Sequence, residues 1–97
     1  MKLRFTPRAT KDLAEIADYI SARNPKAAQR VRASILDSLQ TLAIFPNAGR
    51  RQNVPNVRKL VTAKYPYLLY YIVNEAADEV IVISIQHPAR DREYDDL

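Results

Sequence analysis

Two runs near the end of the chain constrain its fold more than any other feature. Tyr67 to Asn74 is nearly continuous in aromatic and aliphatic residues, Glu79 to Gln86 is apolar at odd and even positions alike, and only Glu75-Ala76-Ala77-Asp78 separates them. A strand wet on one face alternates polar with apolar; a strand apolar on both faces is covered on both. The pair therefore predicts the middle of a sheet, joined by a tight turn and covered by helices on one side.

The covering helices are legible upstream. Thr6-Pro7 and Asn24-Pro25 each set a capping side chain before a proline, whose missing N–H would be an orphan in a first turn anyway. After Pro7 the apolar residues Leu13, Ile16, Ala17 and Ile20 form one helical stripe. After Pro25 they fall at Ala28, Val31, Ile35, Leu39 and Leu42, and Pro46 ends the helix near Phe45. The link Arg23-Asn24 is short, so the helices form an antiparallel hairpin. Arg8, Lys11, Asp12, Glu15 and Asp18 are assigned to a solvated face, as are Arg30 and Arg32.

Residues 46–56 read as a loop. Gly49, the only glycine, is expected to meet a backbone need for positive φ. Val57 to Ala63 is a further strand, and Lys2 to Thr6 a short one. The expected fold is α+β in the order β-α-α-β-β-β: an N-terminal strand, a helical hairpin, then a three-stranded antiparallel sheet, all in one domain over 1–97.

Composition narrows the chemistry. The chain lacks cysteine, which removes disulfides, thiolate nucleophiles and cysteine-based zinc sites, and one histidine disfavours a His-based metal site. No cofactor is expected. No run approaches the length of a membrane span, and Met1-Lys2-Leu3-Arg4-Phe5 lacks the apolar stretch of a signal peptide, so a cytoplasmic protein without membrane contact is expected. From Arg23 to Lys64 nine basic residues face one acid, Asp37, a local net of +8 in a chain of +4. Such asymmetry fits either a polyanion or acidic partner, or a solvated basic face.

Candidate chemistry gathers where the last strand ends. Histidine is the side chain whose unperturbed pKa lies near neutrality, so His87 could move a proton in phosphodiester cleavage, or it could simply bond backbone at a strand end. Arg90 and Arg92 could bind phosphate; alternating with Asp91 and Glu93, they could equally pair among themselves. Tyr94 could stack on a base or act as an acid, or pack the tail on the sheet. Arg50, Arg51, Arg58, Lys59 and Lys64, with Tyr65, Tyr67, Tyr70 and Tyr71 nearby, would suit phosphates and stacked bases. The alternative is that the tyrosines are ordinary half-buried sheet residues. A second histidine is missing, which excludes a two-histidine ribonuclease, and there is no phosphate-cradling glycine loop, nucleophile elbow or metal motif.

The element order, the segment Pro46-Asn47-Ala48-Gly49-Arg50, the strand Lys64-Tyr65-Pro66-Tyr67-Leu68-Leu69-Tyr70-Tyr71 and the close His87-Pro88-Ala89-Arg90-Asp91 resemble the RelE/ParE toxin superfamily, over essentially the whole chain. The resemblance implies the toxin of a two-gene toxin–antitoxin module, neutralised by a cognate antitoxin that wraps a C-terminal segment around it.

Two mechanisms are implied. The RelE branch cleaves mRNA on the ribosome with dispersed lysines and arginines and a C-terminal tyrosine; the ParE branch poisons DNA gyrase. Carried across, the catalytic set would be Lys59, His87, Arg90 and Tyr94. Arg50, Arg51, Arg58, Lys64 and Arg92 would contact nucleic acid or a partner. The RelE pattern fails at three positions: Val61 stands for its second lysine, Leu68 for the strand arginine and Pro88 for the arginine after the last strand, unless Arg90 replaces it. That loss and the long helical hairpin favour the ParE-like reading. The ribosome-dependent endoribonuclease, and a non-toxic binding module that kept the fold, stand as alternatives.

Overall fold

The computed structural model describes residues 1–88. In chain order the elements are β1 (Lys2–Phe5), α1 (Pro7–Ser21), α2 (Pro25–Ile44), β2 (Arg50–Arg51), β3 (Arg58–Val61), β4 (Leu68–Asn74) and β5 (Glu79–Gln86). Both helices start as the proline pairs imply. Thr6 accepts from the Ala9 N–H and Asn24 from the Ala27 N–H, each satisfying one orphan donor of a first turn. α1 and α2 form the expected hairpin.

The sheet departs from the expected three antiparallel strands. It has five strands in the order β1-β5-β4-β3-β2 and is mixed. β1 lies parallel to β5, Lys2 opposite Glu79 and Phe5 opposite Val82, while the other pairs are antiparallel. The helical hairpin between β1 and the rest returns the chain so that the four-residue β1 can cap the edge of β5, a pairing that local periodicity does not encode. At the other edge Arg50 and Arg51, expected in a loop, pair with Lys59 and Arg58. β4 and β5 are central, as their apolar faces require.

On the helix side, Val31, Ile35, Leu39 and Leu42 of α2 and Ala9 of α1 pack with Leu69, Tyr71, Val80, Val82 and Ile85. Val82 and Ile85 share this core although they are three residues apart, which a regular strand forbids. The register explains it: Tyr71 pairs with Val82 but Tyr70 with Ser84, so Ile83 is an extra, bulged residue. The opposite face is not bare. Val57, Leu68 and Tyr70 are buried there and pack with Val54, Ile72 and Ile83, so the 52–57 loop lies over part of that face.

Candidate functional site

The predicted residues fall on separate parts of the sheet. Arg50, Lys59, Tyr70 and Ser84 are consecutive partners across four strands, and Arg51, Arg58, Tyr71 and Val82 form a second row. Directly opposed residues share a face, so Arg58 sides with the helix-facing core and Lys59 with the far face.

Arg58 has a structural task. Its Nη1 donates to the Gly49 carbonyl at 2.8 Å and the Asn47 carbonyl at 3.4 Å. Beneath it the Tyr71 hydroxyl donates to the Pro46 carbonyl (2.7 Å) and accepts from the Gly49 N–H (2.8 Å). These bonds pin the 46–51 segment and hold Arg50 and Arg51 at the sheet edge. Gly49 does not have positive φ, contrary to expectation. Its need is for space: a Cβ there would lie 2.6 Å from the Tyr71 hydroxyl and 2.9 Å from the Lys59 carbonyl.

His87 is exposed just past β5, its ring edge-on to Tyr67 with centroids 5.6 Å apart. Lys59 lies two strands away and three residues back along the ladder, so spacings of about 4.8 Å between strands and 3.3 Å per residue separate their backbones by about 14 Å. The two are thus not brought into mutual contact range of their backbones. Lys64 is exposed in the β3–β4 connection, where Thr62 donates to the Tyr65 carbonyl and accepts from the Tyr67 N–H. Leu68, where the resemblance expects an arginine, is only 4% exposed and pairs with Val61 and Gln86. Arg90, Arg92 and Tyr94 lie outside the described residues.

The tyrosines divide. Tyr70 and Tyr71 are fully buried sheet residues, and neither presents a ring for base stacking. Tyr65 and Tyr67 are half-buried against the core. Burial raises the hydroxyl pKa of Tyr71, against the lowering effects of the Gly49 hydrogen bond and the Arg58 charge. Burial, then the nearby Tyr19, raises that of Tyr67. A raised folded-state pKa means the neutral form is favoured by folding. This stability is intact below the unfolded value near 10 and falls as pH rises through it toward the folded pKa. Spectroscopic titration at 295 nm should therefore show tyrosines ionising above pH 10, together with declining resistance to urea; titration of all six at or below 10 would contradict it.

Asp12 does not lie on the solvated face expected for it. Arg8, Lys11, Glu15 and Asp18 are exposed, but Asp12 turns to the sheet. Its Oδ2 accepts from Ser84 Oγ (3.1 Å) and the Ile85 N–H (3.0 Å), and Ser84 Oγ in turn accepts from Gln86 Nε2 (2.9 Å). Thr6 binds the same stretch one step earlier along β5, its N–H donating to the Val82 carbonyl and its hydroxyl to that of Ile83. The bulge is held by the first turns of α1 at both ends. It resets the alternation of the strand ahead of Gln86 and His87. A signal was present: Asp12 lies between Ala9 and Ile16 on the buried helical stripe, where an acid requires partners.

No His, Cys, Asp or Glu cluster suited to a metal occurs among the described residues, and none of their helices is long and apolar enough to cross a membrane. A family model described as the ParE toxin of type II toxin–antitoxin system, parDE, matches residues 3–92. The putative toxin Y4kP of Sinorhizobium fredii is 35% identical over 86 residues, covering 89% of this chain and 86% of that protein. Toxin RelE2 of Caulobacter vibrioides is 36% identical over 86 residues, covering 89% and 93%. Among solved structures, the chromosomal ParDE toxin–antitoxin system of P. aeruginosa superimposes with a TM-score of 0.77 at 27% identity, over 90% of this chain and 95% of that one. The E. coli RelBE complex shares the fold, with a TM-score of 0.70 at 23% identity over 92% and 98%. With a whole-domain match to the family model and relatives above 30% identity, the chain belongs to the ParE toxin family, within the RelE/ParE superfamily of type II toxin–antitoxin toxins.

Proposed function

We propose that this toxin arrests growth by poisoning DNA gyrase and that a cognate antitoxin neutralises it. The observation that carries the choice of target is Leu68. A metal-independent nuclease of the RelE type needs cations around the scissile phosphate, and at this row the chain buries an aliphatic side chain. A missing guanidinium of that kind removes about 2–4 kcal/mol of transition-state stabilisation, by analogy with a lost oxyanion donor. The family description and the ParDE likeness support an antitoxin partner.

The ribosome-dependent endoribonuclease is the second reading, favoured by the exposure of His87. Pulse labelling after induced expression separates the two. DNA synthesis is expected to fall first, with gyrase-linked DNA breaks; an earlier fall in protein synthesis with mRNA cut within codons would overturn the gyrase reading. His87→Ala is expected to retain toxicity, measured as colony formation after induction. Loss of toxicity in a variant that still folds would place His87 in a catalytic role. Normal growth despite soluble expression would leave only the non-toxic binding module.

A further inference from the structure

β4 outruns the strand beside it. β3 pairs with β4 only as far as Arg58, opposite Tyr71, whereas β4 continues through Ile72 and Val73 to Asn74. Before Arg58 the chain comes in from a turn: Asn56 has φ 66° and the Val57 N–H bonds back to the Val54 carbonyl. The phase of the ladder tells which β4 groups are left facing outward. The Thr62 N–H donates to the Tyr67 carbonyl, one step along the register that pairs Val61 with Leu68. Hydrogen-bonded positions alternate in an antiparallel ladder. Tyr67, Leu69 and Tyr71 therefore turn their backbone groups toward β3, and Val73 is next in that series. Its N–H and C=O point to where β3 would run if it were longer.

That space is a notch of about 790 Å³. Arg51 and Arg58, register partners, stand at one end; Glu75 stands at the other; Val54, Ile72 and Ile81 supply apolar lining. We propose that the notch docks an extended acidic peptide segment of a protein partner, added as a short strand against Val73. Such a peptide exchanges two backbone hydrogen bonds with Val73 and lays alternate side chains on the apolar lining. Lying antiparallel to β4, it directs its C-terminal end toward the two guanidiniums, where carboxylates are favoured, and its N-terminal end toward Glu75, where they are repelled. A nucleic acid is a poorer occupant. Its phosphates suit the arginines, but Glu75 repels a continuing backbone, and the backbone has no N–H to offer the Val73 carbonyl. The inference holds whichever target the toxin acts on.

The test is an NMR titration of the ¹⁵N-labelled full chain with the capped hexapeptide Lys-Val-Thr-Val-Asp-Glu. Its controls are the same peptide N-methylated at threonine, the charge-reversed Glu-Val-Thr-Val-Lys-Lys, and oligothymidylate. The Val73 amide is expected to shift and gain exchange protection, and N-methylation to weaken binding about tenfold. Arg51→Glu is expected to weaken it about fivefold, while Arg30→Glu on exposed α2 leaves it unchanged. Three results would overturn the proposal: no perturbation at Val73 at about 1 mM peptide, equal binding of the N-methylated or charge-reversed peptide, or oligothymidylate occupying the notch in preference to the acidic peptide.

Discussion

Gly49→Ala is expected to destabilise the toxin by about 3 kcal/mol, combining overpacking with the loss of buried hydrogen bonds. The new methyl group would lie 2.6 Å from the Tyr71 hydroxyl, 2.7 Å from its Cε1 and 2.9 Å from the Lys59 carbonyl. None of these can retreat cheaply. The tyrosine ring is fully buried, and its hydroxyl is fixed by Pro46 and Gly49; the carbonyl is strand backbone. Relief must come from the 46–51 segment lifting off the sheet, which breaks both Tyr71 bonds and withdraws the carbonyl that Arg58 binds. Tyr71→Phe removes the hydroxyl without adding volume and should cost about 2 kcal/mol, because the Gly49 N–H and Pro46 carbonyl lose their partner. Urea unfolding of the two variants and their double mutant checks the account. The double mutant should cost less than the sum, since the closest clashing atom is gone. Strict additivity, or a Gly49→Ala cost below about 0.5 kcal/mol, would show that the close approach is not binding on the fold.

Asp12→Ala should cost about 2–3 kcal/mol, a larger loss than any other charged position of α1 would give. It strips the acceptor from a fully buried Ser84 hydroxyl and from the Ile85 N–H, leaving a backbone donor unsatisfied beside the bulge. Asp12→Asn keeps an acceptor oxygen and should cost less than half as much. Lys11→Ala and Glu15→Ala, which break only an exposed i,i+4 pair 3.8 Å apart, should be near neutral. Amide exchange at Ile85 is the sharper readout. It should accelerate in Asp12→Ala beyond the global change and recover in Asp12→Asn. Exchange that tracks global stability alone would mean the bulge holds without the carboxylate.

The two corrections share a cause. Local rules make a lone glycine such as Gly49 a left-handed turn, and an acid on a charged helix such as Asp12 solvent-facing. Both roles come from partners far along the chain, Tyr71 in one case and Ser84 with Ile85 in the other. Leu68 shows the converse. Its departure from the nuclease pattern was visible in the sequence, and burial gave it weight.

Local chemistry determined the helices, their caps, the hairpin between them and the central place of β4 and β5. Each follows from side-chain period, proline geometry and short connections, and acts within a few residues. Tertiary structure alone decided the parallel seat of β1, the Arg50–Arg51 strand, the bulge at Ile83 and the open edge at Val73. Those depend on register between distant strands, where one residue of slip exchanges the faces and redirects the backbone bonds. Register is set by the packing of the whole sheet against the helices and is not written in any single segment.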